Sequence, residues 1–123
     1  MNGIWVTVGV AIAGGIGAAS RHMVDSAFSP RLRARFPWGT LTVNLTGSFV
    51  IGVVTGLALE HPLATVVATG FLGGYTTFSA ASADTVRLVA ERRYIAALTN
   101  GVGVLAAATG LAVCGVLLGR GLA

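Results

Sequence analysis

Charge is absent from four long stretches of this 123-residue chain, and no other feature constrains its fold as much. Asn2–Ser20, Phe36–Leu59, Pro62–Ala83 and Tyr94–Gly119 contain no Asp, Glu, Lys or Arg. Each is close to the roughly 20 apolar residues that carry a helix across a bilayer core. Water cannot reach backbone amides at that depth, so a crossing segment must satisfy them internally, as a helix does. A barrel would need short alternating segments instead, and the sequence has none. With 54% hydrophobic and 10% charged residues, the composition leaves the range of soluble domains. The expectation is an all-α membrane protein, a single domain over residues 1–123 in the cell membrane, with four transmembrane helices at 3–20, 38–59, 63–83 and 94–118.

The N-terminal stretch ends in Ala18-Ala19-Ser20, which resembles a signal-peptide cleavage site. Such peptides begin with a basic region, however, and Met1–Thr7 has no Lys or Arg, so the stretch reads as the first membrane helix. The only cysteine, Cys114, lies in the last apolar stretch and reads as a small packing residue. A net charge of +4 could suggest a nucleic-acid partner, but all eight basic residues are Arg near helix ends, where they report membrane orientation. With four spans, Arg21, Arg31, Arg33, Arg35, Arg87, Arg92 and Arg93 share one side of the membrane and Arg120 stands alone on the other. The positive-inside rule then puts both arginine-bearing loops in the cytoplasm and both termini outside.

Small residues recur on the helices: Gly9, Gly14, Gly15 and Gly17 on the first, Thr40, Asn44, Ser48, Gly52 and Gly56 at a stride of four on the second, and Gly115 and Gly119 on the last. Such faces let membrane helices approach closely. The third stretch differs, because Gly73-Gly74-Tyr75-Thr76-Thr77-Phe78-Ser79 sets two glycines and three hydroxyls in mid-span. A break there frees carbonyls at membrane depth, which is tolerable only if they are buried in protein, bound to an ion or facing water. The alternative is an unbroken helix whose hydroxyls bond back to their own carbonyls.

Catalysis is not expected, because the spans contain no Asp, Glu or His to act as acid, base or ligand, and His22 and His61 fall in loops. What the spans offer is neutral donors: Thr40, Asn44, Ser48, Thr76, Thr77, Ser79 and Asn100. Amide and hydroxyl groups can replace part of an anion's hydration shell and still release it, as conduction requires. The positive edge of Phe78 could face the same anion.

The segments Pro37-Trp38-Gly39-Thr40-Leu41-Thr42-Val43-Asn44-Leu45-Thr46-Gly47-Ser48-Phe49 and Gly70-Phe71-Leu72-Gly73-Gly74-Tyr75-Thr76-Thr77-Phe78-Ser79 resemble the second- and third-helix signatures of the Fluc/CrcB fluoride channels. Gly14, Gly15, Gly17 and Arg21 resemble the first-helix motif. The resemblance implies an antiparallel dimer with two pores and passive, selective export of fluoride, which lowers the cytoplasmic level. It implies Thr40 and Asn44 as pore-lining donors, Phe78 as a pore phenylalanine and Ser79 in a polar track. It also implies that Gly73 and Thr76 offer backbone carbonyls to a structural sodium ion (Na+) on the dimer axis. Arg21 would anchor a vestibule or a helix end.

The chain also departs from the family pattern, with Ala80 and Ala81 where Thr and a second Phe are usual, and Asn100 and Val104 where a Tyr and a Ser are usual. Together with the one-sided arginines, this predicts a specialised subunit paired with a related chain of opposite orientation, rather than a homodimer. The rivals are a small multidrug-resistance transporter, which would need a carboxylate in the first helix that Asn2–Ser20 lacks, and a membrane scaffold that transports nothing.

Overall fold

The structure, a computed structural model, describes residues 3–123. Met1 and Asn2, the latter opening the first charge-free stretch, lie outside the described residues. Helix α1 covers Gly3–Ala27. It continues past Ser20 through Arg21, His22 and Asp25, because leaving the apolar region ends a membrane stretch without ending a helix. The break comes only where Pro30 and the cap Ser29 start α2, Pro30–Arg35, with the Ser29 hydroxyl accepting from the Leu32 amide at 3.3 Å. Helix α3 covers Trp38–Leu57 and stops at Ala58, in the left-handed region with φ 52°.

The third apolar stretch is assembled from pieces. A short α4, Pro62–Thr65, is capped by His61, whose Nδ1 accepts from the Leu63 amide at 3.1 Å. It runs into a π-helical segment, Val66–Leu72, and then into α5, Gly73–Tyr75. Thr76 and Thr77 are extended, and α6 resumes over Phe78–Ala90. The last stretch is one helix of 29 residues, Tyr94–Leu122. Within it α7, Tyr94–Leu98, and α8, Val104–Leu122, flank a second π-helical segment, Thr99–Gly103. Among the described residues, Gly3–Ala27, Trp38–Leu57 and Tyr94–Leu122 are long and apolar enough to cross a membrane, whereas the third stretch is cut in two.

Two close helix pairs make the body: α3 on α8, and α1 on the first π segment and α5. Glycine permits both. A Cβ on Gly52 would strike the carbonyl of Ala112, and one on Gly115 that of Phe49. A Cβ on Gly74 would strike the carbonyl of Gly14 in the same way. Large apolar side chains meanwhile face outward, among them Ile12, Ile16, Val50 and Leu117. This is the inverse of a soluble surface and suits a hydrocarbon solvent.

The stride-of-four row on α3 does not keep one partner. Each step of four residues overshoots a helical turn by about 40°, so the row winds around the helix. Gly52 and Gly56 meet α8, whereas Thr40 reaches α6. The two arginine-bearing connections do meet, since the Arg93 guanidinium donates to the carbonyl of Ala34 at 3.2 Å and to that of Arg35.

Gly52→Ala should overpack the α3–α8 contact and lower stability by about 1–3 kcal/mol. Gly110→Ala, where a Cβ meets nothing within 4 Å, should be neutral or slightly stabilising. Thermal unfolding of both variants in detergent checks the pair.

Candidate functional site

The site is built around the interruption of the third stretch. Thr76 adopts φ -81°, ψ 156° and Thr77 φ -149°, ψ 119°. In an uninterrupted helix the Thr77 amide would reach the carbonyl of Gly73, and the Ala80 amide that of Thr76. Instead the Thr77 amide donates to Asn44 Oδ1 at 2.8 Å, and the Ala80 amide donates to the Thr77 hydroxyl at 3.1 Å. Asn44 Nδ2 completes the pair by donating to the Thr77 carbonyl at 2.9 Å. One carboxamide on α3 thus satisfies both main-chain groups of a part-buried extended residue. An amide donates and a carbonyl accepts, so the orientation of the Asn44 side chain is fixed. It retains one free N–H.

The alternative of hydroxyls bonding back to the chain is present as well, without closing the helix. Thr76 Oγ1 donates to the Leu72 carbonyl at 2.9 Å, beside the Thr76 amide at 3.0 Å on the same oxygen.

Asn44 opens onto a groove of about 250 Å³. Ser48 from α3, Phe78 and Ser82 from α6, and Asn100 and Val104 from the last helix line it with Asn44. Ser48 and Ser82 make no hydrogen bond among the described residues, so both hydroxyls can donate into it. The opposite wall behaves differently. Asn100, 3% exposed, donates from Nδ2 to the Ala81 carbonyl at 3.1 Å and to Thr85 Oγ1 at 2.9 Å. The Thr85 hydroxyl gives its own hydrogen to the Ala81 carbonyl at 2.9 Å. Both Asn100 donors are therefore engaged, and only its oxygen is left over. Phe78 is 81% exposed at the open side of the groove.

Of the residues expected on an ion path, Asn44 and Phe78 come together here, whereas Thr40 and Ser79 do not. Ser79 sits outside the lining, with its hydroxyl 3.4 Å from that of Thr77. Thr40 donates to Asp84 Oδ2 at 3.2 Å inside a polar recess walled by Asp25, Arg33, Asp84 and Arg87. Asp84 lies just outside the apolar stretch that ends at Ala83. Burial pushes its carboxyl above the ordinary carboxylate range, with the Thr40 hydroxyl and Arg87 pulling the other way.

Arg21 and His22 line a smaller recess together with Thr40 and Thr77. Thr40 therefore walls both charged recesses, and Thr77 walls the second of them and the groove. By these shared walls the three hollows adjoin in series, from the arginine-bearing end to the groove. Gly73 lies outside the series, and a Cβ there would meet nothing within 4 Å. Ser82 and Thr85 were missed from sequence. The signal was the helical ladder from Phe78 to Ser82 and from Ala81 to Thr85, four residues apart.

Fold and site together define a multi-pass helical membrane protein with a polar route at an interrupted helix. Residues 8–118 match the family model described as CrcB-like protein, Camphor Resistance (CrcB). The chain is 51% identical over 118 residues to fluoride-specific ion channel FluC 1 of Leifsonia xyli subsp. xyli, covering 93% of this chain and 86% of that one. It is 46% identical over 97 residues to FluC 2 of Mycobacterium tuberculosis, covering 79% and 75%. It is 39% identical over 119 residues to FluC 3 of Bifidobacterium longum, covering 89% and 98%. The chain belongs to the CrcB family.

Asn44→Ala leaves both main-chain groups of Thr77 without partners and should cost about 2–6 kcal/mol, at about 1–3 kcal/mol for each buried group. Asn44→Asp keeps the acceptor for the Thr77 amide but sets a carboxylate oxygen against the Thr77 carbonyl, so it should destabilise at least as much. Unfolding in detergent ranks the two variants, and equal stability of Asn44→Ala and the parent would refute the clamp.

Proposed function

We propose that this chain is one subunit of a fluoride-selective channel that lets fluoride leave the cell passively. The observation that carries the reading is the series of hollows joined at Thr40 and Thr77. It is lined beyond the charged end by neutral donors, in a chain whose curated relatives are named fluoride-specific ion channels. Arg21 at the charged end, with no carboxylate within 4.0 Å among the described residues, raises the local anion concentration. Past the break, the free N–H of Asn44 and the hydroxyls of Ser48 and Ser82 replace part of the hydration shell without the fixed charge that would trap a small anion. Phe78 adds its ring edge at the open side.

The subunit crosses the membrane four times, the third time through the two pieces on either side of Thr76 and Thr77, with both termini outside the cytoplasm. The groove lies open along Phe78, and an oppositely oriented subunit closes it. The break also bears on the implied sodium ion. The two carbonyls whose helical donors are diverted are those of Gly73 and Thr76, and neutral oxygen donors suit a hard cation. Bound there, sodium would neutralise carbonyl dipoles and tie the two subunits together.

The partner is a related but distinct chain. Two features support this: Asn100 and Val104 offer no donor on one wall of the groove, and the relatives carry the numbers 1, 2 and 3 in their names. One pore of the pair then conducts. A drug-exporting exchanger is disfavoured by the lack of any carboxylate in Gly3–Ser20, and a plain scaffold gives no reason for a clamped break.

Liposomes loaded with fluoride test the reading, with chloride as the control ion. Efflux is expected only when this chain is reconstituted with a co-expressed homologous subunit. Efflux from the chain alone would restore a homodimeric channel, and none in either case would leave the scaffold.

A further inference from the structure

The arginine-bearing end carries a surface that ion passage does not use. Arg93 follows Arg92, which is left-handed at φ 59°, and folds its guanidinium back onto the carbonyls of Ala34 and Arg35. That contact ties the chain at Arg35 to the Arg92–Arg93 turn. Arg33, Arg87 and Arg93 each face a carboxylate at 4.0 Å or less. Arg35 and Arg92 are exposed, and neither has a carboxylate partner among the described residues.

At that turn Arg92, Arg93, Tyr94 and Ile95 line a shallow groove of about 420 Å³. Apolar side chains continue from it along the last helix: Ile95 is 84% exposed, Leu98 64% and Val102 62%. Their spacing of three and four residues puts them on one face. Tyr94, 62% exposed, stands where the charged rim meets the apolar stripe, the place an amphipathic ring prefers. Any acyl chain could cover the stripe, but only an anionic group complements the unpaired guanidiniums at its head, and phosphate fits their planar donors best.

The structure assigns to this rim a binding site for an anionic glycerophospholipid. Its phosphate headgroup sits against Arg35 and Arg92, and an acyl chain lies along Ile95, Leu98 and Val102. The inference rests on the membrane placement and not on which ion the channel passes.

The test uses the full chain in detergent, with phosphatidylglycerol or phosphatidylcholine of matched chains added. Retained lipid is counted by native mass spectrometry, and the unfolding midpoint is followed in parallel. Phosphatidylglycerol should be retained and should raise the midpoint, and phosphatidylcholine should do neither. Arg35→Gln and Arg92→Gln should each weaken apparent affinity about fivefold, as expected for one arginine near an anionic headgroup. Arg35→Lys and Arg92→Lys should keep most of the binding, and Arg120→Gln, at the opposite end, should keep all of it.

Equal retention of both lipids, or glutamine variants that bind like the parent, would overturn the site. Glycerol phosphate competing as well as the intact lipid would make it a free-anion site and overturn it too. A change in oligomeric state in Arg92→Gln with unchanged lipid retention would assign the stripe to a second chain. Fluoride efflux, measured separately, keeps failure of this site distinct from failure of the channel reading.

Discussion

Both main-chain groups of Thr77 are met by a single carboxamide, that of Asn44, and the polar interior of the molecule depends on that pairing. A peptide unit taken out of a helix at apolar depth loses its partners, and lipid offers none. Asn44 supplies a donor and an acceptor in the spacing of a peptide unit, so the chain can stay extended for two residues. The extended residues turn Phe78 and Ser82 toward the groove and divert the donors from Gly73 and Thr76. Without the clamp, closing the helix would be the favoured way to satisfy those groups, and the hollows on either side of Thr77 would lose their shared wall.

The clamp can reach only because α3 is held at a set distance from the third stretch. Glycine sets such distances on both sides of the bundle: Gly52 and Gly115 bring α3 and α8 to backbone contact, and Gly17 and Gly74 do the same for α1 against the first π segment and α5. Lipid tails are as apolar as leucine, so burial alone gives helices little reason to associate, and close backbone packing takes its place. Thr46 adds a local tie, with its hydroxyl 3.1 Å from that of Tyr75. The same frame explains why Asn44 and Asn100 behave differently. Asn44 gives one N–H to the break and keeps one, whereas Asn100 gives both to α6.

At the charged end, polar groups pair with one another and leave the apolar body alone. Arg33 lies 3.7 Å from Asp25, Arg87 lies 3.3 Å from Glu91, and Arg93 holds the end of α2. These contacts are half exposed, so each adds little stability. Their effect is geometric, because they fix the mouth of the series of hollows and decide which arginines remain unpaired.

The sequence by itself determined the solvent, the helical class and the place of the break. Four charge-free stretches admit few other arrangements in lipid, and Gly73-Gly74 followed by Thr76-Thr77 marks where a helix is weakest. It also carried the family signatures, and the two arginine-bearing connections it placed on one side do touch. It could not show where α1 and α6 end, because charge bounds an apolar stretch and not a helix. Only the tertiary structure decided that Asn44 answers Thr77, that Thr40 faces Asp84 and not the groove, and that Asn100 turns its donors away. The reason is physical: a side chain's inventory of donors and acceptors is written in the sequence, but which of them remain free depends on partners 15 to 44 residues away, brought near by helix packing.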